Sequence, residues 1–483
     1  MTRAAAPWDR RDLDPDDAAR RLSAARHTPF WIDRGEADGV RPAARPPLDG
    51  DQVADLAVVG GGLSGVWTAL QAVQANPGRD VVLLDGGRLA WAASGRNGGF
   101  CSSSLTHGWA NGHSRWPQDM PRLVDLAARN LDGIAATVEE FAIDCDFRIS
   151  GELTVAVADW QVEGLREIRA TASRYGVDLQ WLEGADLDAV VASPTYRAAL
   201  RDPSGTALVD PARLVWGLTA AAESLGVRVH EGTRVTGLRD EGDRVRLDTP
   251  HGGVHARQVV LATNAFPSPL HRVRPYVVPV WDHVLVTQPL SPQQREALRW
   301  AGEEGLSDAG GMFHYYRLTP DGRLLWGGYD ALYYFGGDLS AVRERRPVTE
   351  AMLLQHLETT FPALAGIGIS HVWAGAIDTS TRFTPFWRRA MGGRLVAVQG
   401  FTGLGVGSSR FAAAVCLDLL DGRSTERTDL AMVRRGPVPF PPEPLRWGAI
   451  EVTRRAIARS EARAGRRGPW LRLLDRAGLG FDS

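Results

Sequence analysis

Asp55-Leu56-Ala57-Val58-Val59-Gly60-Gly61-Gly62-Leu63-Ser64-Gly65 is the stretch on which the fold turns. Leu56 to Val59 is too uniformly apolar for a half-exposed edge and reads as a buried strand. Gly60 to Gly65 then turn the chain into a helix running through Trp67, Leu70 and Val73. Asn76-Pro77-Gly78 closes that helix, and Val81-Val82-Leu83-Leu84-Asp85 is a second buried strand. Strand, helix and strand within about 30 residues have the size of a parallel βαβ crossover.

Gly60-x-Gly62-x-x-Gly65 sits in that unit where a dinucleotide fingerprint belongs. Gly60 permits the tight turn, Gly62 lets the backbone approach a pyrophosphate, and Gly65 allows close packing of helix on strand. Leu63 and Ser64 open the helix, whose amides and partial positive charge suit phosphate. Asp85, 20 residues after Gly65, is the acid expected to accept hydrogen bonds from an adenosine ribose. The hexamer alone is a weak signal, and Asp85 before Gly86-Gly87 also suits a strand-end turn. The order strand, turn, helix, strand, acid is what favours the dinucleotide.

Composition narrows the function. The chain has 483 residues, enough for two or three domains at about 150 residues each. Lys+Arg 55 against Asp+Glu 57 gives a net charge of −2, which argues against a nucleic-acid binder. Every one of those cations is arginine. With no lysine there is no Schiff-base or P-loop chemistry. Cys101, Cys145 and Cys416 are few and widely spaced, which speaks against disulfides and a cysteine zinc site. The eleven histidines show no metal-ligand spacing, so no metal is expected. No apolar run of about 18 residues occurs, and a cytoplasmic location is expected.

Working outward, residues 1–50 read as a polar, proline-rich arm. The dinucleotide domain is expected to be discontinuous, over residues 51–145, 205–270 and 370–425. A substrate domain with an antiparallel sheet is expected over 146–204 and 271–369. There Thr319-Pro320-Asp321-Gly322 marks a hairpin between Phe313–Leu318 and Arg323–Trp326. Residues 426–483 read as a helical tail, whose segment 446–476 carries nine arginines against three acids. The fold class is α/β, a Rossmann-like domain carrying an α+β second domain. Oligomeric state is not legible.

Ala93-Ser94-Gly95-Arg96-Asn97-Gly98-Gly99 supplies small residues, an arginine and exposed amides for a second pyrophosphate-facing loop. With Gly60–Gly65 and Asp85, this segment resembles the FAD-dependent amine and amino-acid oxidase family, the D-amino-acid oxidase or glycine oxidase superfamily. The Ala-Ser-Gly-Arg-Asn-Gly-Gly form is closest to the branch containing gamma-glutamylputrescine oxidase. The resemblance implies a glycine oxidase-like fold and an FAD cofactor. It implies FAD contacts at Ser94 through Gly99, at Val235 on the adenine side, at Thr263 and Asn264, and at Gly403-Leu404-Gly405-Val406. Covalent relatives attach the flavin through a histidine in the early loop or a cysteine before the last strand. Arg96-Asn97 and Val372–Asp378 offer neither, so FAD is expected to be noncovalent.

The activity so implied is oxidation of the C–N bond of an amine or amino acid to an imine, then a carbonyl, by hydride transfer to flavin N5. Oxygen is the expected acceptor. Some amine-oxidising relatives place a lysine above the flavin to assist oxygen, and its absence here keeps a dehydrogenase with another acceptor open. A flavin-binding subunit without turnover is the remaining alternative. For the substrate, His314-Tyr315-Tyr316-Arg317 lies on the first hairpin strand, so either Tyr316 or the Tyr315/Arg317 pair faces the flavin. Tyr316 and Arg317 are the expected substrate-positioning residues, Arg317 for a carboxylate; the other reading is that Arg317 pairs with a surface acid and the tyrosines fill a core. Trp373 is a candidate wall for a substrate cation, with core packing as the other reading.

Overall fold

The structure, a computed structural model, describes residues 14–480. Five strands form a parallel core in the order Arg228–His230, Val81–Leu84, Gln52–Val59, Gly252–Leu261 and Leu395–Gln399. Gly237–Asp240, Val245–Thr249 and Phe386–Ala390 extend it in antiparallel fashion. Val59 pairs with both Leu84 and Leu261, so three strands end at one level, and Leu261 pairs with Ala397 near the end of Leu395–Gln399. In open parallel sheets a ligand binds beyond those carboxyl ends.

The crossover helix Leu63–Ala75 is buried on nearly every side, with Leu63, Val66, Trp67, Ala69, Leu70 and Val73 all buried and the polar Thr68 and Gln71 hydrogen-bonded to Ser64 O and Arg410 O. Such a helix needs cover all round. It lies between the sheet and the helices Pro211–Ser224 and Gly405–Leu420.

A second eight-stranded sheet runs in the order Ile369–Thr379, Val278–Thr287, Leu324–Gly328, His314–Leu318, Gly305–Asp308, Glu152–Ala156, Ala198–Asp202, Gln180–Glu183. Its pairs are antiparallel except Gly305–Asp308 with Glu152–Ala156. The hairpin forms as its turn residues predict, with Gly322 at φ +78° and Tyr316 opposite Trp326. A small sheet of Phe100–Ser102, Thr206–Leu208 and Arg148–Ile149 sits where the chain passes between the two layers.

Two boundaries differ from expectation. Ile369–Thr379 pairs along its whole length with Val278–Thr287, so residues 370–379 belong to the second sheet. Sheet membership is fixed by the distant partner strand, which local sequence does not reveal. The N-terminal segment is also no loose arm. It forms helices Pro15–Ser23 and Phe30–Ala37, and Phe30, Trp31 and Ile32 are buried in the main core. Residues 1–13 lie outside the described residues. The tail is helical at Leu445–Glu461 and Pro469–Arg476. No helix among the described residues is long and apolar enough to cross a membrane.

The closest approach in the crossover is at Gly65, where an added Cβ would lie 1.8 Å from the Gly60 carbonyl oxygen. Gly65→Ala must therefore push the helix off the strand, at a cost of about 3 kcal/mol. A lowered denaturation midpoint is the expected result. An unchanged midpoint would mean that helix and strand are not in contact here.

Candidate functional site

The four strand ends deliver Gly60, Asp85, Ala262 to Asn264 and Gly400 to one edge. Gly60 adopts φ +107°, and a Cβ there would meet Ala262 O at 2.3 Å. Only glycine fits a turn that tight. Helix geometry leaves the first amides without intrahelical acceptors. Leu63 N finds Ser94 Oγ at 3.0 Å, and a Cβ on Gly62 would intrude on the same oxygen. Asp85 braces this loop by accepting from Gly61 N at 2.6 Å and Gly87 N at 2.7 Å. Burial pushes its carboxyl up, and those two amides oppose the shift. A carboxylate has about four acceptor positions, and with the Trp91 indole as a third donor one remains for a ribose. Val235 is half-buried against the core on this side.

The loop 93–99 is held from behind. Trp373 Nε1 donates to Arg96 O at 2.8 Å, Trp31 Nε1 to Asn97 O at 2.8 Å, and Arg317 Nη1 to Gly99 O at 3.2 Å. In a trans peptide the N–H points opposite to the C=O. The captured carbonyls of Arg96 and Asn97 therefore turn the amides of Asn97 and Gly98 the other way, toward the cavity that both residues line. Asn97 adds bonds to Ala93 O and Ser94 O and accepts from Gly99 N. The Arg96 guanidinium bonds Trp91 O and Ala374 O and pairs with Glu344 at 2.8 Å. Gly95 sits 1.9 Å, Cβ to oxygen, from Ala90 O, so this turn also needs a glycine.

A cavity of about 1660 Å³ opens in front of this loop. Leu63, Ser64, Ser94, Arg96, Asn97, Gly98, Asn264 and Gly403 to Val406 line one end. The N-terminus of helix Gly405–Leu420 faces it, and the space beside Gly403 is open. Asn264 Oδ1 and Gln399 Oε1 are buried with no protein partner, while Gln399 Nε2 reaches Thr263 Oγ1 and Asn264 O. Two helix N-termini, inward amides and orphaned buried acceptors fit a flavin dinucleotide. The residues that would hold it are Gly60 to Gly65, Asp85, the 94–99 loop, Asn264 and 403–406.

The three residues expected at the substrate are elsewhere. Tyr315 and Arg317 do share the flavin-facing side of their strand, but only Tyr315 lines the cavity. Arg317 is fully buried behind the loop, bonding Val209 O at 2.8 Å and lying over the Trp31 ring at 5.4 Å. Burial lowers it to about 9. Tyr316 points into the second core, stacked on Trp326 and bonded to Tyr196 and Asp308. Trp373 is core, with its indole spent on Arg96 O. Strand alternation left the facing side open, and nothing local showed that the 93–99 loop would screen Arg317.

Tyr315, named from the sequence as one of the pair that could face the flavin, lines the cavity together with two residues not named as site residues, Asp282 and Asp378. Tyr315 donates its hydroxyl proton to Asp282 Oδ2, and both line the cavity. Burial pushes Asp282 up to about 6, opposed by Tyr315 and by the amides of Gly328 and His283. Asp378 lines the wall beside the 400–406 loop and accepts from Gly400 N and Phe401 N; burial pushes it up to about 7. The available signal was an acid inside an apolar strand, as in Val278-Pro279-Val280-Trp281-Asp282-His283-Val284.

Arg317→Leu removes a buried donor from two loop carbonyls, so a loss of about 1–3 kcal/mol in stability is expected, with weaker flavin retention. Substrate saturation of the remaining holoenzyme should be unchanged. A large rise in KM at normal stability would place Arg317 in the cavity after all.

A family model described as DAO, FAD dependent oxidoreductase, matches residues 55–419. The chain is 32% identical over 396 residues to gamma-glutamylputrescine oxidoreductase of Escherichia coli (strain K12), covering 80% of this chain and 88% of that protein. It is 30% identical over 389 residues to a probable oxidoreductase OrdL of Rhizobium meliloti (strain 1021), covering 79% and 86%. The crystal structure of glycine oxidase from Geobacillus kaustophilus superposes with a TM-score of 0.66 at 21% identity, over 80% of this chain and 99% of that one, a likeness of fold. The strand ends, the glycine loops and the extent of these matches lead to one conclusion: the chain belongs to the DAO family of FAD-dependent oxidoreductases.

Proposed function

We propose that the protein oxidises the C–N bond of an amine whose reacting end carries no carboxylate, with noncovalent FAD and with oxygen as acceptor. The observation that carries this reading is the Tyr315–Asp282 pair on the cavity wall. With its proton given to Asp282, the Tyr315 oxygen presents lone pairs, an acceptor for an amine N–H and a poor partner for a carboxylate. The arginines on the cavity lining are Arg96, Arg454 and Arg467, and each is paired with an acid, Glu344, Asp330 and Asp475 in turn. Among the described residues, a carboxylate drawn from water into this cavity would lack the charged partner that its burial requires.

FAD, when bound, takes up the hydride released from the carbon that bears nitrogen. The chain's part is to orient the amine at Tyr315 Oη, to keep Asp282 ionised so that the phenol proton stays on that side, and to exclude water with the walls around them. The imine then hydrolyses to a carbonyl in solution. The absence of lysine from the chain favours a second reading for the oxidative half alone, a carrier other than oxygen.

Mixing the holoenzyme anaerobically with an amine panel should bleach the flavin absorbance, and admitting air then separates oxidase from dehydrogenase. Bleaching by amino acids alone would overturn the amine reading. Flavin retained in an acid-precipitated pellet would overturn the noncovalent one.

The pH dependence follows from Asp282. Above about 6 it is ionised and holds the Tyr315 proton; below, it is protonated and competes for the phenol oxygen. Amine affinity should therefore fall as pH drops through about 6. Asp282→Asn should remove that step, while any step from Asp378, pushed up to about 7, persists. An unaltered step in the variant would take Asp282 out of the site.

A further inference from the structure

The family match ends at residue 419, yet the cavity does not end with the family-matched segment. Helices Leu445–Glu461 and Pro469–Arg476 lie across it, and Ile450, Ile457, Trp470, Leu471 and Leu474 line it from above. These side chains alternate with the helical period, so one face of each helix looks into the cavity while Val452, Arg455 and Arg459 of the first remain exposed. The roof is pinned to both halves of the molecule. Arg115 donates to Gly478 O and Gly480 O, while Tyr333 donates to Glu443 and Gly311 N to Glu461.

The roof's charged groups are already engaged. Arg454 pairs with Asp330 and Glu451, Arg467 with Asp475, and Glu461 accepts from the Gly311 amide. What it offers to a ligand is apolar surface. A pocket of about 300–1,000 Å³ encloses a drug-sized ligand, so about 1660 Å³ accommodates more than a flavin ring and a small amine.

We infer that the tail is a specificity element: its apolar face receives a long alkyl or aralkyl substituent of the amine substrate. This rests on the amine reading above. The Tyr315–Asp282 pair takes the nitrogen, and the roof residues, which belong to another part of the chain, select what the nitrogen carries. Affinity should therefore grow with chain length, by up to about fourfold for each methylene buried.

The test separates binding from turnover. Amines with two methyl groups on the carbon bearing nitrogen have no hydrogen there to lose, so they bind without being oxidised. Calorimetric titration of the holoenzyme with such amines, from four to ten chain carbons, should give an affinity that rises at each step. Ile457→Ser with Leu474→Ser should flatten the gradient while leaving affinity for the shortest member within twofold. Val452→Ser, on the exposed face of the same helix, should keep the full gradient. If the double variant loses flavin, Ile457→Ser alone carries the comparison. A flat series in the wild type, or an undiminished gradient in the roof variants, would overturn the role of the tail. Flavin bleaching by the corresponding oxidisable amines, long and short alike, would in that case leave the amine reading standing. A series in which no member binds would overturn both.

Discussion

Three captured carbonyls govern the site. Arg96 O, Asn97 O and Gly99 O each accept from a buried donor, supplied by Trp373, Trp31 and Arg317. The donors come from the second sheet and from the N-terminal segment, so the cofactor loop of one domain is set by the rest of the chain. A buried donor that loses its acceptor pays the full cost of its desolvation, about 1–3 kcal/mol. The loop therefore stays turned with the Asn97 and Gly98 amides toward the cavity, and the two domains share one core along it.

The same contacts explain what could and could not be read from the sequence. Gly60, Gly65 and Asp85 were legible because their requirements are local: a left-handed turn, a contact too close for Cβ, an acid at a strand end. The hairpin at Thr319–Gly322 was legible for the same reason. Arg317 was not, because a strand's period of two says which side chains share a face and never what covers that face; for Tyr316 and Trp373 the sequence left core packing open beside the substrate role, and both side chains are in a core. Trp31 was hidden in a segment whose charge and prolines resembled an arm. Ile369–Thr379 joined the sheet of its partner strand Val278–Thr287, a choice made far away in sequence.

The cavity divides its work by chemistry. At the flavin end the groups facing it are backbone amides, helix N-termini and buried acceptors, suited to a dinucleotide. On the wall of the second sheet stands a phenol whose proton is held by a carboxylate. The roof comes from a segment beyond the family-matched region and presents apolar side chains beside charged groups that are already engaged. On the proposed reading, a small change in the tail would alter which substrate fits without touching either the cofactor loops or the Tyr315–Asp282 pair.

The most direct test is a crystal structure of the FAD-loaded protein with a non-oxidisable long-chain alkylamine. The amine nitrogen should lie within hydrogen-bond distance, about 2.7–3.2 Å, of Tyr315 Oη, with the alkyl chain against Ile457 and Leu474. A nitrogen bound elsewhere, or a ligand whose head group reaches Arg317 through a rearranged 96–99 loop, would contradict it.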